Sequence, residues 1–427
     1  MSRFVGAARA RSGVQVALIL LALSMVLPGG IAWGFDLLNP NSWPFIPVPE
    51  AATDPFGGTT FGLMPVLLRT GKNQQITGII APDINYNTIL GPGANLRYLA
   101  YPSPDTQWFA IGGGSENNAG SLELDWASGL RRQKWWTFES HFFFEQNPTE
   151  RFFGLGNDSN HNKQTNYSLQ QLYLDVIFGV NITPNLQVAL RERPRFVRLY
   201  NGAETTLPFI GKLFPKVKGI NGGSELLNEL IISYDTRNSL NVPTNGGLIA
   251  AAAGVADRAF LSSSSYNTFS LDVRRYYPLT HRITLAGQIY SRYVPAGGET
   301  PFWAMSWLGG DGPGESSLLG LPISDEQTWR GAGAGRFIDN NMFVANVEVR
   351  TRVLDINMFD THGILELAPF LDLGRVYHAA DGVPFAHLHP AGGLGFRAIA
   401  LPFVVAYVDV GYGPDGSAIF SGINYPF

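Results

Sequence analysis

From Thr60 onward the chain is divided into segments of roughly 9–13 residues in which apolar and polar side chains alternate, each segment ended by Gly, Pro, Asn or Asp. A period of two gives a strand with two unlike faces. No apolar run after Thr60 is long enough to cross a membrane as a helix. In the clearest segment Phe343, Ala345, Val347, Val349 and Val353 share one face, and Asn346, Glu348, Arg350 and Arg352 share the other. Leu365, Leu367, Leu371 and Leu373 likewise oppose Glu366, Phe370, Asp372 and Gly374. Val404, Ala406, Val408, Val410 and Tyr412 oppose Tyr407, Asp409 and Gly411, and Ile283–Tyr293 sets Thr284, Gln288, Tyr290 and Arg292 on its polar side.

A soluble sandwich alternates too, but buries its apolar face. Export and the end of the chain turn the reading towards a transmembrane barrel, whose apolar face meets lipid. Arg3, Arg9 and Arg11 precede an apolar stretch, Val14–Leu27, and Ala32-Trp33-Gly34 offers small residues at a cleavage site. Pro28-Gly29-Gly30 interrupts that stretch before the ~20 residues a spanning anchor needs. Residues 1–34 therefore read as a signal peptide, and their removal takes the net charge from −4 to −7. The last segment, Ile419–Phe427, places Ile419, Ile423, Tyr425 and Phe427 on one face and ends on an aromatic residue. This resembles the sorting signal of outer-membrane barrels, and implies the barrel-assembly machinery as a partner for insertion.

Composition agrees. Charged residues are 15% of the chain, against about 25% in soluble domains. The absence of Cys excludes disulfides, thiolate metal sites, a cysteine nucleophile and a lipid-modified Cys. A net charge of −4 argues against nucleic acid as a partner.

The expected organisation is a signal peptide at 1–34, a Pro-rich periplasmic lead-in at 35–57 and an outer-membrane barrel at 58–427. Candidate strands are 61–69, 76–86, 92–101, 107–115, 118–129, 133–145, 165–178, 186–199, 225–236, 247–258, 265–277, 282–293, 342–353, 363–376, 391–399, 403–412 and 417–427. These make seventeen, whereas single-chain bacterial barrels have even numbers. Reading the first as a lead-in strand, or as merged with the second, gives an all-β antiparallel barrel of sixteen. Ala250–Ala253 suits a helix by propensity but is kept as strand among strand neighbours. Short links at Thr183-Pro184-Asn185 and Pro278–His281 fit periplasmic turns; the long ones at 147–164, 201–223 and 295–340 fit extracellular loops.

The longest loop carries Thr328-Trp329-Arg330-Gly331-Ala332-Gly333-Ala334-Gly335-Arg336-Phe337. After it come Asn346-Val347-Glu348-Val349-Arg350, Phe370-Leu371-Asp372-Leu373-Gly374, Gly393-Leu394-Gly395-Phe396-Arg397 and the terminal strand. This ordered set resembles the BamA/TamA (bacterial surface antigen) superfamily over residues 58–427. The resemblance implies a loop folded back into the lumen. Arg330 and Gly331 match the centre of its Val/Ile-Arg-Gly-Tyr/Phe motif; Phe370, Asp372 and Gly374 match its Phe-x-Asp-x-Gly wall motif; Glu348 matches an acidic wall position. Trp329 and Ala332 depart from the loop pattern. Phe152-Phe153-Gly154-Leu155-Gly156-Asn157-Asp158, and Tyr234-Asp235-Thr236-Arg237 with Pro243-Thr244-Asn245-Gly246, also look familiar. With about 25 residues between signal and first strand, the resemblance implies a member without the POTRA domains that capture clients.

Parity alone puts Glu348 and Asp372 on lumen-facing positions of adjacent strands. A loop of roughly 40 residues loses much entropy if ordered over a barrel mouth, so something must hold it. An Arg–carboxylate contact would do so; the alternative leaves Arg330 on a solvated loop tip. Arg191, Arg193 and Arg195 share one face and are expected to pair with Glu366 and Asp409, or else to bias transport towards anions. Gly331–Gly335 lacks the Lys and strand–helix context of a phosphate loop. His387 and His389 lack a third metal ligand nearby, and no Gly-x-Ser-x-Gly elbow or isolated carboxylate pair is present. No cofactor, metal or catalytic residue is expected.

The function implied is non-enzymatic: helping to insert or translocate protein or lipid at the bacterial outer membrane, amid its lipid and lipopolysaccharide, with a separate periplasmic partner to bind clients. The alternatives are a passive pore or structural surface-antigen barrel with no assembly activity, and a lipid-acting barrel enzyme.

Overall fold

The computed structural model describes residues 45–71, 76–295, 299–311, 317–321, 324–358, 361–378, 385–400 and 404–427. The signal-peptide reading of residues 1–34 and the first part of the Pro-rich stretch lie outside them. The chain runs through β1 (Ile46–Asp54), β2 (Gly58–Thr70), β3 (Ile76–Asn87), β4 (Gly91–Ser103), β5 (Thr106–Ser115), β6 (Gly120–Ser128), β7 (Trp136–Phe152), β8 (Thr165–Asn181) and β9 (Leu186–Asn201). It continues through β10 (Gly223–Asp235), β11 (Gly246–Ala256), β12 (Tyr266–Pro278) and β13 (Ile283–Tyr293), then three short strands, β14 (Ser306–Leu308), β15 (Glu326–Gln327) and β16 (Phe337–Asp339). β17 (Asn341–Met358), β18 (Thr361–Tyr377), β19 (His389–Ala400), β20 (Val404–Gly413) and β21 (Gly416–Ile423) complete it. All but β14–β16 form one 18-stranded sheet that closes where β21 meets β1.

The barrel therefore has eighteen strands, not sixteen. Each of the seventeen candidate segments is a strand, including the one set aside, and the eighteenth is β1 within the stretch expected to be a lead-in. Pro47 and Pro49 hid it, since proline is a poor central-strand residue. β1 tolerates them because it is a seam strand. One side pairs with β2 along its whole length, from Ile46↔Val66 to Asp54↔Gly58, while the other pairs with β21 only at Thr53↔Ile419.

Parity holds around the wall. Leu190, Phe196, Leu230, Ile232, Ile289 and Leu371 face outward and are exposed, whereas Arg191, Arg193, Glu348, Glu366, Asp372 and Asp409 point inward and are buried. An exterior of this kind is stable only against lipid. In β11 the alternation falls on alanines, with Ala250 and Ala252 inward. The small side chain of Ala252 leaves room for Leu319 and Leu321 from the loop between β13 and β17.

The end of the chain departs from the expected strand, which ran to Phe427 with Ile419, Ile423, Tyr425 and Phe427 on one face. β21 stops at Ile423, whose side chain lies outside the described residues, and Asn424 turns the backbone with φ 81°. Tyr425 and Phe427 then enter the lumen. Tyr425 Oη donates to Glu366 at 3.1 Å, the Arg350 guanidinium lies 3.7 Å above the Tyr425 ring, and Phe427 packs with Tyr276 and Ala286. Extending the Thr53↔Ile419 register would bring Tyr425 opposite Pro47, which has no N–H to offer a ladder. Inside the barrel the same tail finds a cation, a carboxylate and apolar cover.

Candidate functional site

The described residues between β13 and β17 (294–295, 299–311, 317–321 and 324–340) lie inside the barrel. Near the long-loop end Phe302, Trp303 and Met305 pack with Phe152, Tyr167 and Tyr266. At mid-depth Trp329, Leu308 and Phe337 meet Val344, Val376 and Ala391 of the wall. Deeper still, Leu319 and Leu321 reach Leu130, in the turn after β6 at the opposite end. Glu139 holds this tip, accepting from Ser317 Oγ at 2.6 Å and from the N–H groups of Leu318 and Leu319 at 2.8 and 3.2 Å. The segment is a plug of full lumen depth.

Arg330 is its central contact, with none of its surface exposed. Its Nε and Nη2 donate to the two oxygens of Asp372, each at 2.8 Å, and its own N–H reaches the same carboxylate at 3.1 Å. Nη1 donates to Glu348 at 2.6 Å and to Asp409 at 2.8 Å. The guanidinium lies 3.5 Å from the Phe370 ring centre, where a cation is attracted to the π face. The structure thus brings together Arg330, Glu348, Phe370 and Asp372 from the expected set. It adds Asp409, Arg397, which contacts Glu348 and Asp409, and Arg350, which donates to Glu348 at 2.8 Å. Three guanidiniums balance three carboxylates, and buried ions are tolerable only with such pairing.

Glycines let the loop backbone approach the wall. A Cβ on Gly411 would stand 2.0 Å from the Arg330 carbonyl oxygen, and one on Gly413 would stand 2.5 Å from Gly331 Cα. Gly374 gives the same clearance to Leu308, and Gly331 to Trp329 and Ala391. Trp329, one residue before Arg330, fills the space beside the wall and donates from Nε1 to the His389 carbonyl at 2.9 Å. The tail joins the same cluster: Thr328 Oγ1 donates to the Pro426 carbonyl at 2.7 Å, and Arg350 reaches that of Phe427.

The arginine stripe on β9 is paired, though not as expected. Arg191 bonds Asp175 and Glu229, Arg193 bonds Glu225 and Asp325, and Arg195 bonds Asp325. Asp409 is claimed by Arg330 and Arg397, and Glu366 by Tyr425. Sequence reading missed these partners: Asp175, Glu225 and Glu229 on the wall, and Asp325, a loop residue that no strand parity could place. The Asp325 carboxylate meets Arg193 at 3.2 Å, Arg195 at 3.4 Å and Arg292 at 3.1 Å. Burial would raise its pKa, but Arg292, Arg193, Arg195 and Arg191 outweigh burial and hold it below the ordinary 3.8. A depressed carboxyl stabilises the fold fully above its ordinary value and loses that contribution as pH falls through the lowered one. Bilayer current through the barrel should therefore rise at acid pH, and D325N should show that raised current already at pH 7, with little further response to acid. A D325N current that matches wild type at every pH would remove Asp325 from the hold on the plug.

Other segments singled out in the sequence close the long-loop end. Asn157 Nδ2 donates to the His387 carbonyl at 2.9 Å and Oδ1 accepts from Val376 N–H at 3.1 Å. The His389 ring stacks on Phe337 at 4.2 Å, while His387 is exposed on a left-handed turn. Arg336 lies over both Phe153 and Phe337. At the other end Arg237 is bound to Asp235 at 2.8 Å and approaches Gly320 of the plug.

A closed barrel with an apolar exterior and a loop ion-paired inside its lumen is that of a bacterial outer-membrane protein plugged by its own chain. The chain belongs to the Omp85 superfamily, whose domain model matches residues 107–397. This is a superfamily involved in outer-membrane insertion or translocation. Among solved structures, BamA from Haemophilus ducreyi lacking POTRA domains 1–3 matches at 14% identity and TM-score 0.49, over 84% of this chain and 74% of that one. CdiB from Escherichia coli matches at 10% identity and TM-score 0.48, over 90% and 63%. CdiB from Acinetobacter baumannii matches at 10% identity and TM-score 0.41, over 89% and 59%. The chain thus spans less than two thirds of either CdiB. No curated protein matches it in sequence.

Proposed function

We propose that this barrel helps to insert or translocate polypeptide, or lipid, at the outer membrane, with Arg330, Gly331, Glu348, Phe370, Asp372 and Gly374 as the lock that keeps its plug in place. The chemistry is non-covalent: strand pairing is exchanged and a lumen is opened. A separate periplasmic partner would deliver clients. Ile423, Tyr425 and Phe427 would serve as the sorting signal before the barrel closes.

The observation that carries this reading is the seam, where β1 and β21 pair at Thr53↔Ile419 alone while each is fully laddered on its other side. Unpaired strand edges are templates for a further strand. Behind that seam, between the plug and the β1–β7 wall, lies a cavity of about 1000 Å³ lined in part by Asp83, Asn95, Arg97, Glu145 and Glu150. A plug held at every depth speaks against the passive-pore alternative, which needs an open lumen.

The test is a disulfide across the seam. The chain has no native Cys, so T53C/I419C would give one defined bridge between directly opposed positions, where the geometry suits a disulfide. In liposomes the reduced variant should speed folding of a barrel substrate and the oxidised form should fall to the lipid-only rate. Equal rates in both forms would remove the seam from the mechanism. No acceleration in either form, joined to a steady current, would favour the passive pore.

A further inference from the structure

The β9–β10 loop concentrates positive charge. Lys212, Lys216 and Lys218 are three of the chain's six lysines, and no acid lies between Glu204 and Glu225. All three are exposed, and none forms an ion pair with a described residue. They ride on a rigid platform. Ile210 is wholly buried among Phe152, Tyr167 and Phe302, with Phe209, Phe214, Val217 and Ile220 packed against the same cluster. The Lys218 carbonyl accepts from Phe302 N–H at 3.0 Å, and Gly219, at φ 83°, lets the chain pass Pro301 and Trp303. Apolar residues thus anchor the loop to the top of the plug and leave the ammonium groups outward. Beside them is a groove of about 630 Å³ with Lys216 and Lys218 on its rim and Leu213, Phe214, Val217 and Met305 among its apolar lining. Among the described residues no carboxylate lines it.

We propose that this groove, at the long-loop end of the barrel, binds the phosphorylated head of an outer-leaflet glycolipid. Lysine is a point-charge phosphate binder, and each one near a charged membrane surface adds about a fivefold factor in affinity. An apolar floor beside unpaired ammonium groups suits an amphiphile with an anionic head better than a wholly polar anion. The long-loop end is the one that faces the leaflet carrying such phosphates. The inference rests on placement in the outer membrane and is independent of the assembly activity.

The test uses the full-length barrel in detergent with bisphosphorylated lipid A, its dephosphorylated form, inorganic phosphate and poly-glutamate as probes. The wild type should retain bisphosphorylated lipid A, and K212Q/K216Q/K218Q should bind it about tenfold or more weakly with unchanged heat-dependent gel mobility. R275Q/R282Q, which neutralises two charges outside this loop, should bind as wild type. Four outcomes would overturn the proposal: undiminished binding by the triple variant, equal binding of dephosphorylated lipid A, inorganic phosphate binding as tightly as the lipid, or complete displacement by poly-glutamate.

Discussion

Alanine at position 330 is expected to convert a plugged barrel into a conducting one. Removing the Arg330 guanidinium leaves Asp372, Glu348 and Asp409 buried, with only Arg350 and Arg397 to balance them. Breaking a fully buried ion pair from one side costs about 3–5 kcal/mol, and here three carboxylates lose a partner together. The loop gives up a bidentate hold as well as its stacking on Phe370. Urea unfolding should shift by an amount of that order, and planar bilayers should show frequent openings in place of a quiet baseline. R330K should recover part of the stability, since a lysine keeps the charge but cannot donate in a fork to Asp372 while reaching Glu348 and Asp409. A variant as stable and as silent as the wild type would mean that the plug is held elsewhere, with Glu139 and Asp325 the first places to look.

Gly411→Val is the second large effect, and it separates position from charge. Every ion of the cluster remains, yet the new Cβ would stand 2.0 Å from the Arg330 carbonyl oxygen. The obstacle on the other side is backbone, which cannot rotate away, so the loop must withdraw and take Arg330 off its carboxylates. Conductance should match or exceed that of R330A. Gly287→Ala is the control: a Cβ there meets only the Asn346 carbonyl oxygen at 3.6 Å, an ordinary contact, and current should stay at baseline. If Gly411→Val stays silent, the close approach of loop and wall is not what the lock depends on.

How far the sequence could be read depended on whether a residue sits in a periodic element. Glu348, Phe370, Asp372 and Gly374 lie on alternating strands, so their inward direction followed from parity, and Arg330 entered through the motif that parity supported. Asp409 was placed inward for the same reason but given the wrong partner, because parity fixes a face and not the depth at which the plug presents its cation. Asp325, Ser317 and Leu319 lie in the loop, where no period exists, and their contacts come only from the path of the plug. β1 was lost to its prolines, which are tolerable solely because that strand stands at the seam. The inward turn of Tyr425 and Phe427 hinges on one left-handed residue, Asn424, which a reading by alternation carries straight through.

Because both ends of the plug are spliced into neighbouring staves, β13 and β17, an escaped stopper cannot diffuse away. A tethered group of this kind faces its seat at an effective concentration on the order of millimolar, so every excursion is followed by recapture. The molecule should behave as a self-reseating valve, in which a passenger or a pull from outside decides how long the passage stays clear and the tether decides that it shuts again.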